Sequence, residues 1–202
     1  MSDRRAFAAI VAPGVFVTSW VVAGAIRPGY DPVTDAISRL AELGAPNRWI
    51  VTTGMVTFGL GCLVFAPVLR SASTAGAVAI VIAGFASFGV AAFPCTHGCP
   101  GPDGFDTNLG HVIAAGVHYI AFCSVPFLVA RVTTGRYRSL SLVAGFCAAL
   151  ALGAHVTGLG PNGLFQRIGL TILDLWLVLT GLRAARSMGF GLGESSARNG
   201  PR

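Results

Sequence analysis

The sequence predicts an all-α integral membrane protein, a bundle of six transmembrane helices with both termini in the cytoplasm. Three observations carry that prediction. The hydrophobic fraction is 53% and the charged fraction only 11%, whereas an ordinary soluble domain carries about 25% charged residues. A chain with a mean hydropathy of +0.71 cannot cover a water-facing surface. Six windows, near 7–26, 49–70, 74–94, 109–130, 138–158 and 164–185, are long and apolar enough to cross a bilayer, since a spanning helix needs about 20 such residues. Finally, the arginines sort to one side. With the N-terminus inside, 10 of the 14 basic residues face the cytoplasm and four (Arg27, Arg39, Arg48 and Arg167) face outward, as the positive-inside rule requires.

The first window follows MSDRR. Ala23-Gly24-Ala25 loosely matches a signal-peptidase site, but the later segments need a partner helix, so the window is read as a retained span. The first outer loop is GYDPVTDAISRLAELGAPNR. Asp31 before Pro32 reads as an N-cap. Val33, Ile37 and Leu40 recur at helical spacing, and Asp35 and Arg39 form an i,i+4 pair. These features predict a short amphipathic helix over about 32–43, lying on the outer membrane surface. Residues 1–186 thus form one transmembrane domain, and the polar segment 187–202 reads as a disordered cytoplasmic tail.

The loop after the third span, FPCTHGCPGPDGFDTN, holds Cys95 and Cys99 four residues apart. On the oxidising side these read as a local disulfide, with zinc binding through the intervening His97 as the rival. Asp103 lines the pocket mouth or caps the fourth helix, and Asp106 or Asn108 is the better cap. Cys62, Cys123 and Cys147 fall inside spans and read as small packing residues.

The motifs DPVTDAISRLAELGAP after a first span, FP closing the third, a His-bearing fourth helix and a final GLFQRIGLTILDLWLVLTGLR resemble the DUF998 family. Its members are multi-spanning membrane proteins of bacteria and archaea. The resemblance covers nearly the whole chain. It implies the fold and a multi-pass place in a bacterial cytoplasmic membrane, and it implies little chemistry. All 14 basic residues being Arg agrees with a GC-rich bacterial genome.

The candidate site begins with Asp174, about 10 residues into the last span. At 1.5 Å per residue that is roughly 15 Å deep, near the bilayer midplane. A carboxyl there is costly unless paired, hydrated or protonated. Arg167 stands two turns outward on the same face, beside Gln166. His111 and His118 share one face of the fourth helix, His118 at about the depth of Asp174, and His155 ends the fifth. Each alone reads as a structural hydrogen-bonding residue, and Asp174 as a packing carboxyl. Together they place polar groups from three helices in the outer half of the bundle.

Two functions follow. In the first, the protein is a membrane-embedded enzyme acting on a lipid or isoprenoid-type substrate, most concretely by protonation-initiated cyclisation of a prenyl chain. Asp174 is the general acid, with Arg167 and His118 tuning it. Asp35 and Arg39 shape the mouth. His111, His155, Gln166, Trp176, Tyr119 and Phe122 contact substrate, and aromatic walls shelter a carbocation. In size and in its buried carboxyl the chain resembles the integral membrane terpene cyclases of natural-product pathways, an analogy of architecture alone. In the second, the same polar groups lock helices together in a non-catalytic accessory subunit or a small-solute or proton-handling protein. No cofactor is indicated, and no metal, because His residues at i,i+7 chelate poorly. Nothing suggests nucleic acid: the arginines sit at helix ends, without exposed aromatics between them.

Overall fold

A computed structural model of the chain describes residues 2–96 and 109–197, with side chains over 4–96 and 109–187. Six helices make the fold: α1 (Ser2–Ile26), α2 (Trp49–Arg70), α3 (Thr74–Ala92), α4 (Leu109–Ala130), α5 (Gly135–Thr157) and α6 (Asn162–Ala197). All six are long and apolar enough to cross a membrane. Their apolar spans, from Arg4–Ile26 to Asn162–Ser187, match the six predicted windows to within a few residues. The described residues contain no strand. α6 runs past residue 186 to Ala197, into the stretch read from sequence as a polar tail.

Three connections, α2–α3, α4–α5 and α5–α6, are only three or four residues long, which makes those helices antiparallel neighbours. Each helix packs against the next in the chain, and α6 returns against α1, so the six close a ring. Glycines set how closely the helices approach. A Cβ on Gly59 of α2 would lie 2.8 Å from the Gly84 carbonyl of α3, and one on Gly181 of α6 would lie 2.9 Å from the Ala6 carbonyl of α1. Small residues at such crossings suit helix association in lipid, where hydrophobic burial drives little. Aromatic and aliphatic side chains fill the centre of the ring. Phe16, Phe58 and Phe122 come from three helices, with ring centroids 5.6 and 5.3 Å apart. Leu173, Trp176 and Leu177 of α6 complete the fill. Ile120 and Leu150 point away from the bundle, 75% and 74% exposed. A water-soluble protein would hide such residues, whereas a lipid face displays them.

The loop between α1 and α2 departs from its prediction. In place of an α-helix over 32–43 there is a single turn at Asp31–Asp35, an extended Ala36 (ψ 152°), and a 3₁₀ helix at Ile37–Ala41. The cause is competition for carbonyls. The first turn of a helix has N–H donors without partners, and those of α6 take them from the loop: Leu164 N–H donates to Val33 O (2.8 Å) and Gly163 N–H to Thr34 O (3.3 Å). Ile37 N–H donates instead to the Gln166 side chain at 2.6 Å. The loop also does not lie on the surface, because Ile37, Leu40 and Glu42 are fully buried. It plugs the end of the ring.

Candidate functional site

The loop end of the bundle is held by Arg167 of α6. Its Nη1 donates to the carbonyls of Pro32 (2.7 Å), Asp35 (2.9 Å) and Gly163 (2.9 Å). Its Nη2 donates to the Tyr30 hydroxyl. The guanidinium lies over the Trp20 ring (5.4 Å) and the Tyr30 ring (5.5 Å). The planar fork of Arg suits such multiple contacts, and the two rings add cation–π attraction. Gly163 is obligatory here, since a Cβ would fall 2.2 Å from Asp35 O. Burial raises the Tyr30 phenol above its usual 10.0, with the nearby Arg167 charge opposing. Asp31 is held below its usual 3.8, chiefly by the Val33 N–H and then by the Thr34 hydroxyl.

Gln166, next along α6, makes a second tie. Its carbonyl accepts from Ile37 N–H, and its amide donates to the Tyr119 hydroxyl at 2.7 Å. Asp35 and Arg39 pair as predicted, but on the plug and not on a surface helix. A second ion pair joins Arg27 to the fully buried Glu42 at 2.5 Å, and Arg27 also donates to Arg39 O. Sequence reasoning missed Arg27, Tyr30 and Glu42 as site residues. The available signal was a lone carboxylate in the apolar run LAELGAP, fifteen residues beyond an arginine that ends a span.

Three histidines share one chemistry. Nδ1 of His111 faces Phe93 O (2.8 Å), that of His118 faces Ala83 O (2.9 Å), and that of His155 faces Asn162 O (3.1 Å). A carbonyl only accepts, so Nδ1 carries a proton in each ring. Nε2 of the neutral ring is then left as an acceptor. His111 and His118 line an internal cavity of about 40 Å³, together with Tyr119, Gln166, Phe58 and Leu170. His155 does not line it and stacks behind Tyr119 at 5.8 Å. Phe122 packs on His118 at 5.6 Å. Trp176 turns away to donate to Ser141 Oγ of α5 at 3.0 Å.

Asp174 sits one helical turn beyond the cavity residue Leu170, and Cys62, within its electrostatic reach, sits one turn beyond the cavity residue Phe58. It is buried (3% exposed), and neither carboxyl oxygen has a hydrogen-bond partner among the described residues. Single atoms of Trp20, Arg39, Asn162 and Arg167 share that condition, but both arginines bond through their other nitrogens. Asp174 is the one ionisable side chain with every polar atom so placed among the described residues, and the lone indole N–H of Trp20 is the neutral counterpart. Arg167 and His118, read from sequence as its tuners, do not bond to it: their polar atoms go to the plug and to Ala83 O.

Cys95 is disulfide-bonded and fully buried. Its carbonyl accepts from Leu43 N–H at 2.9 Å, and its sulfur lies 3.5 Å from Ser38 O, so it braces the plug. Cys99, His97, Asp103, Asp106 and Asn108 lie outside the described residues. Among the described residues no three His, Cys, Asp or Glu side chains converge as metal ligands would.

No curated protein matches the chain, and no solved structure does. One family matches, described as "Protein of unknown function (DUF998)", over residues 10–183, and the chain therefore belongs to the DUF998 family of proteins.

Proposed function

We propose that this multi-pass membrane protein is an enzyme that acts within the bilayer on an apolar lipid or prenyl substrate, with Asp174 as its acid. One observation carries the reading: a fully buried carboxyl with both oxygens unpartnered among the described residues. Such a group is stable in an apolar interior only as the neutral acid. A packing carboxyl would have found a partner, as Glu42 did in Arg27. A neutral acid facing greasy walls can protonate an alkene. The proton leaves the carboxyl, the alkene π electrons form the new C–H bond, and the resulting carbocation is attacked by the next double bond to close a ring. Proton loss to a base then ends the sequence. His118 offers Nε2 for that step, and the faces of Phe16, Phe58 and Phe122 favour the cation. The cavity of about 40 Å³ holds only a few waters, so a prenyl chain enters only when the plug or the helices part. The 10-to-4 arginine split supports cytoplasmic termini.

The competing reading is a non-catalytic accessory or proton-handling module, and the water-sized, His-lined cavity favours it. Purification in mild detergent, followed by mass spectrometry of the copurified lipid for wild type and Asp174→Asn, separates the two. The enzyme reading expects a specific isoprenoid or lipid whose structure or amount changes with the substitution. Bulk phospholipid alone in both samples overturns it.

A further inference from the structure

A second hollow lies on the outside of the ring, in the seam between α1 and α2. It is an open groove of about 470 Å³. Val11, Gly14 and Thr18 form one wall, and Trp49, Ile50 and Thr53 form the other. Gly14 opens it, since a Cβ there would meet nothing within 4 Å. Ser19 and Gly54 close its floor: a Cβ on Gly54 would fall 2.1 Å from Ser19 Oγ, and the Ser19 hydroxyl is turned back to Phe16 O at 2.7 Å.

Its length and its mouth say what fits. Along α1 the lining runs from Val22 to Val11, roughly 16 Å at 1.5 Å per residue. That is about half of the roughly 30 Å hydrocarbon core, or one leaflet. The loop end of the groove carries Trp49, 65% exposed, where an aromatic ring suits the membrane interface. Arg48 precedes it, and its side chain has no ion pair or hydrogen bond among the described residues. The other arginines of this loop, Arg27 and Arg39, are both committed to carboxylates.

We propose that the α1–α2 groove is a binding site for a single anionic phospholipid, one acyl chain lying along Gly14 and Thr18 and the headgroup phosphate meeting Arg48. The site stands apart from Asp174 and from any reaction there. Its apolar walls bury the chain, and Arg48, next to Trp49 at the loop end, supplies the selectivity for negative charge.

The test uses the full chain in nanodiscs of phosphatidylglycerol and phosphatidylcholine in equal amounts, with native mass spectrometry of the lipids retained on release. Wild type is expected to keep one phosphatidylglycerol. Gly14→Phe puts a ring into the groove at a position whose Cβ meets nothing within 4 Å, and is expected to lower that retention at least tenfold. Gly153→Phe is the control, because Gly153 is also open at Cβ and sits on the exposed side of α5. Arg48→Gln is expected to keep a lipid while losing the preference for phosphatidylglycerol over phosphatidylcholine. Equal retention in wild type and Gly14→Phe overturns the proposal. So does an equal fall in Gly153→Phe, an unchanged preference in Arg48→Gln, or a dimer that Gly14→Phe dissociates, which would make the groove an interface between two copies.

Discussion

Arg167 and Asp174 lie two turns apart on α6, both buried, and the fold treats them in opposite ways. Arg167 bonds to three carbonyls and a phenol and lies over two aromatic rings. Asp174 has no hydrogen-bond partner among the described residues. The first pattern is what a structural ion needs, because a buried charge is tolerable only when its hydrogen bonds are made. The second costs stability, so an explanation other than packing is needed. The comparison divides the polar residues of this bundle into a lock at the loop end and an acid beneath the cavity.

The sharpest way to break that division is to remove each partner in turn. Arg167→Met strands the Pro32 carbonyl and removes the charged donor from Asp35 O and the Tyr30 hydroxyl, which keep only their bond to each other and that from Tyr30 to Ala36 O. Hydrogen bonds from a charged donor are worth about 1.5–3 kcal/mol each, so a loss of at least about 3 kcal/mol is expected. Thermal unfolding in detergent measures it. Hydrogen exchange should show the amides of Leu164 and Ile37 opening first, since both are bonded to the plug or through it. Unchanged exchange at these two amides would mean that Arg167 does not hold the plug.

Asp174 predicts the opposite sign. Asp174→Leu removes an unsatisfied buried group, and stabilisation of about 1–3 kcal/mol is expected. Asp174→Asn exchanges one unpartnered polar group for another and should stay within about 1 kcal/mol of wild type. A strongly destabilised Asp174→Leu would place Asp174 with the lock and remove the main support for an acid. Gln166→Leu tests a smaller member of the lock. It leaves Ile37 N–H without an acceptor and the Tyr119 hydroxyl without a donor, for an expected loss of about 1–2 kcal/mol, with exchange rising at Ile37 and not at Leu164.

The six spans were legible because each is a long apolar run ended by Pro, Gly, Asn or charge, and no other structure satisfies its backbone in lipid. That Arg167 and Gln166 stand near one end of the bundle was legible from depth alone. The partners of Arg167 were not. Helical side chains lean toward the N-terminus of their helix, so a long Arg at the start of α6 reaches the loop and not Asp174, which lies toward the C-terminus. The plug was misread for a related reason. Local spacing favoured a helix over 32–43, but the donors at the start of α6 took carbonyls that such a helix needs for itself. That outcome depends on a segment more than 120 residues away. Glu42 and Arg27 escaped notice because a lone carboxylate in an apolar run signals burial but does not name its partner.

The smallest expected effect concerns acid, at the exposed rim of the plug. Asp31 is held below its usual 3.8, first by the Val33 N–H and then by the Thr34 hydroxyl. The folded state therefore binds this proton less readily than the unfolded chain does. Its contribution is fully present above about pH 3.8 and is lost as pH falls through the lower folded value. Asp31 is fully exposed, so the effect is confined to the turn that leads into the plug. Asp31→Asn keeps an oxygen for Val33 N–H but has no charge to lose. The melting temperature measured between pH 6 and pH 3 should therefore fall more steeply for wild type than for Asp31→Asn, the two curves converging at the acid end. Parallel curves would show that the Asp31 charge does nothing for the turn, and that the plug is held from the α6 side alone.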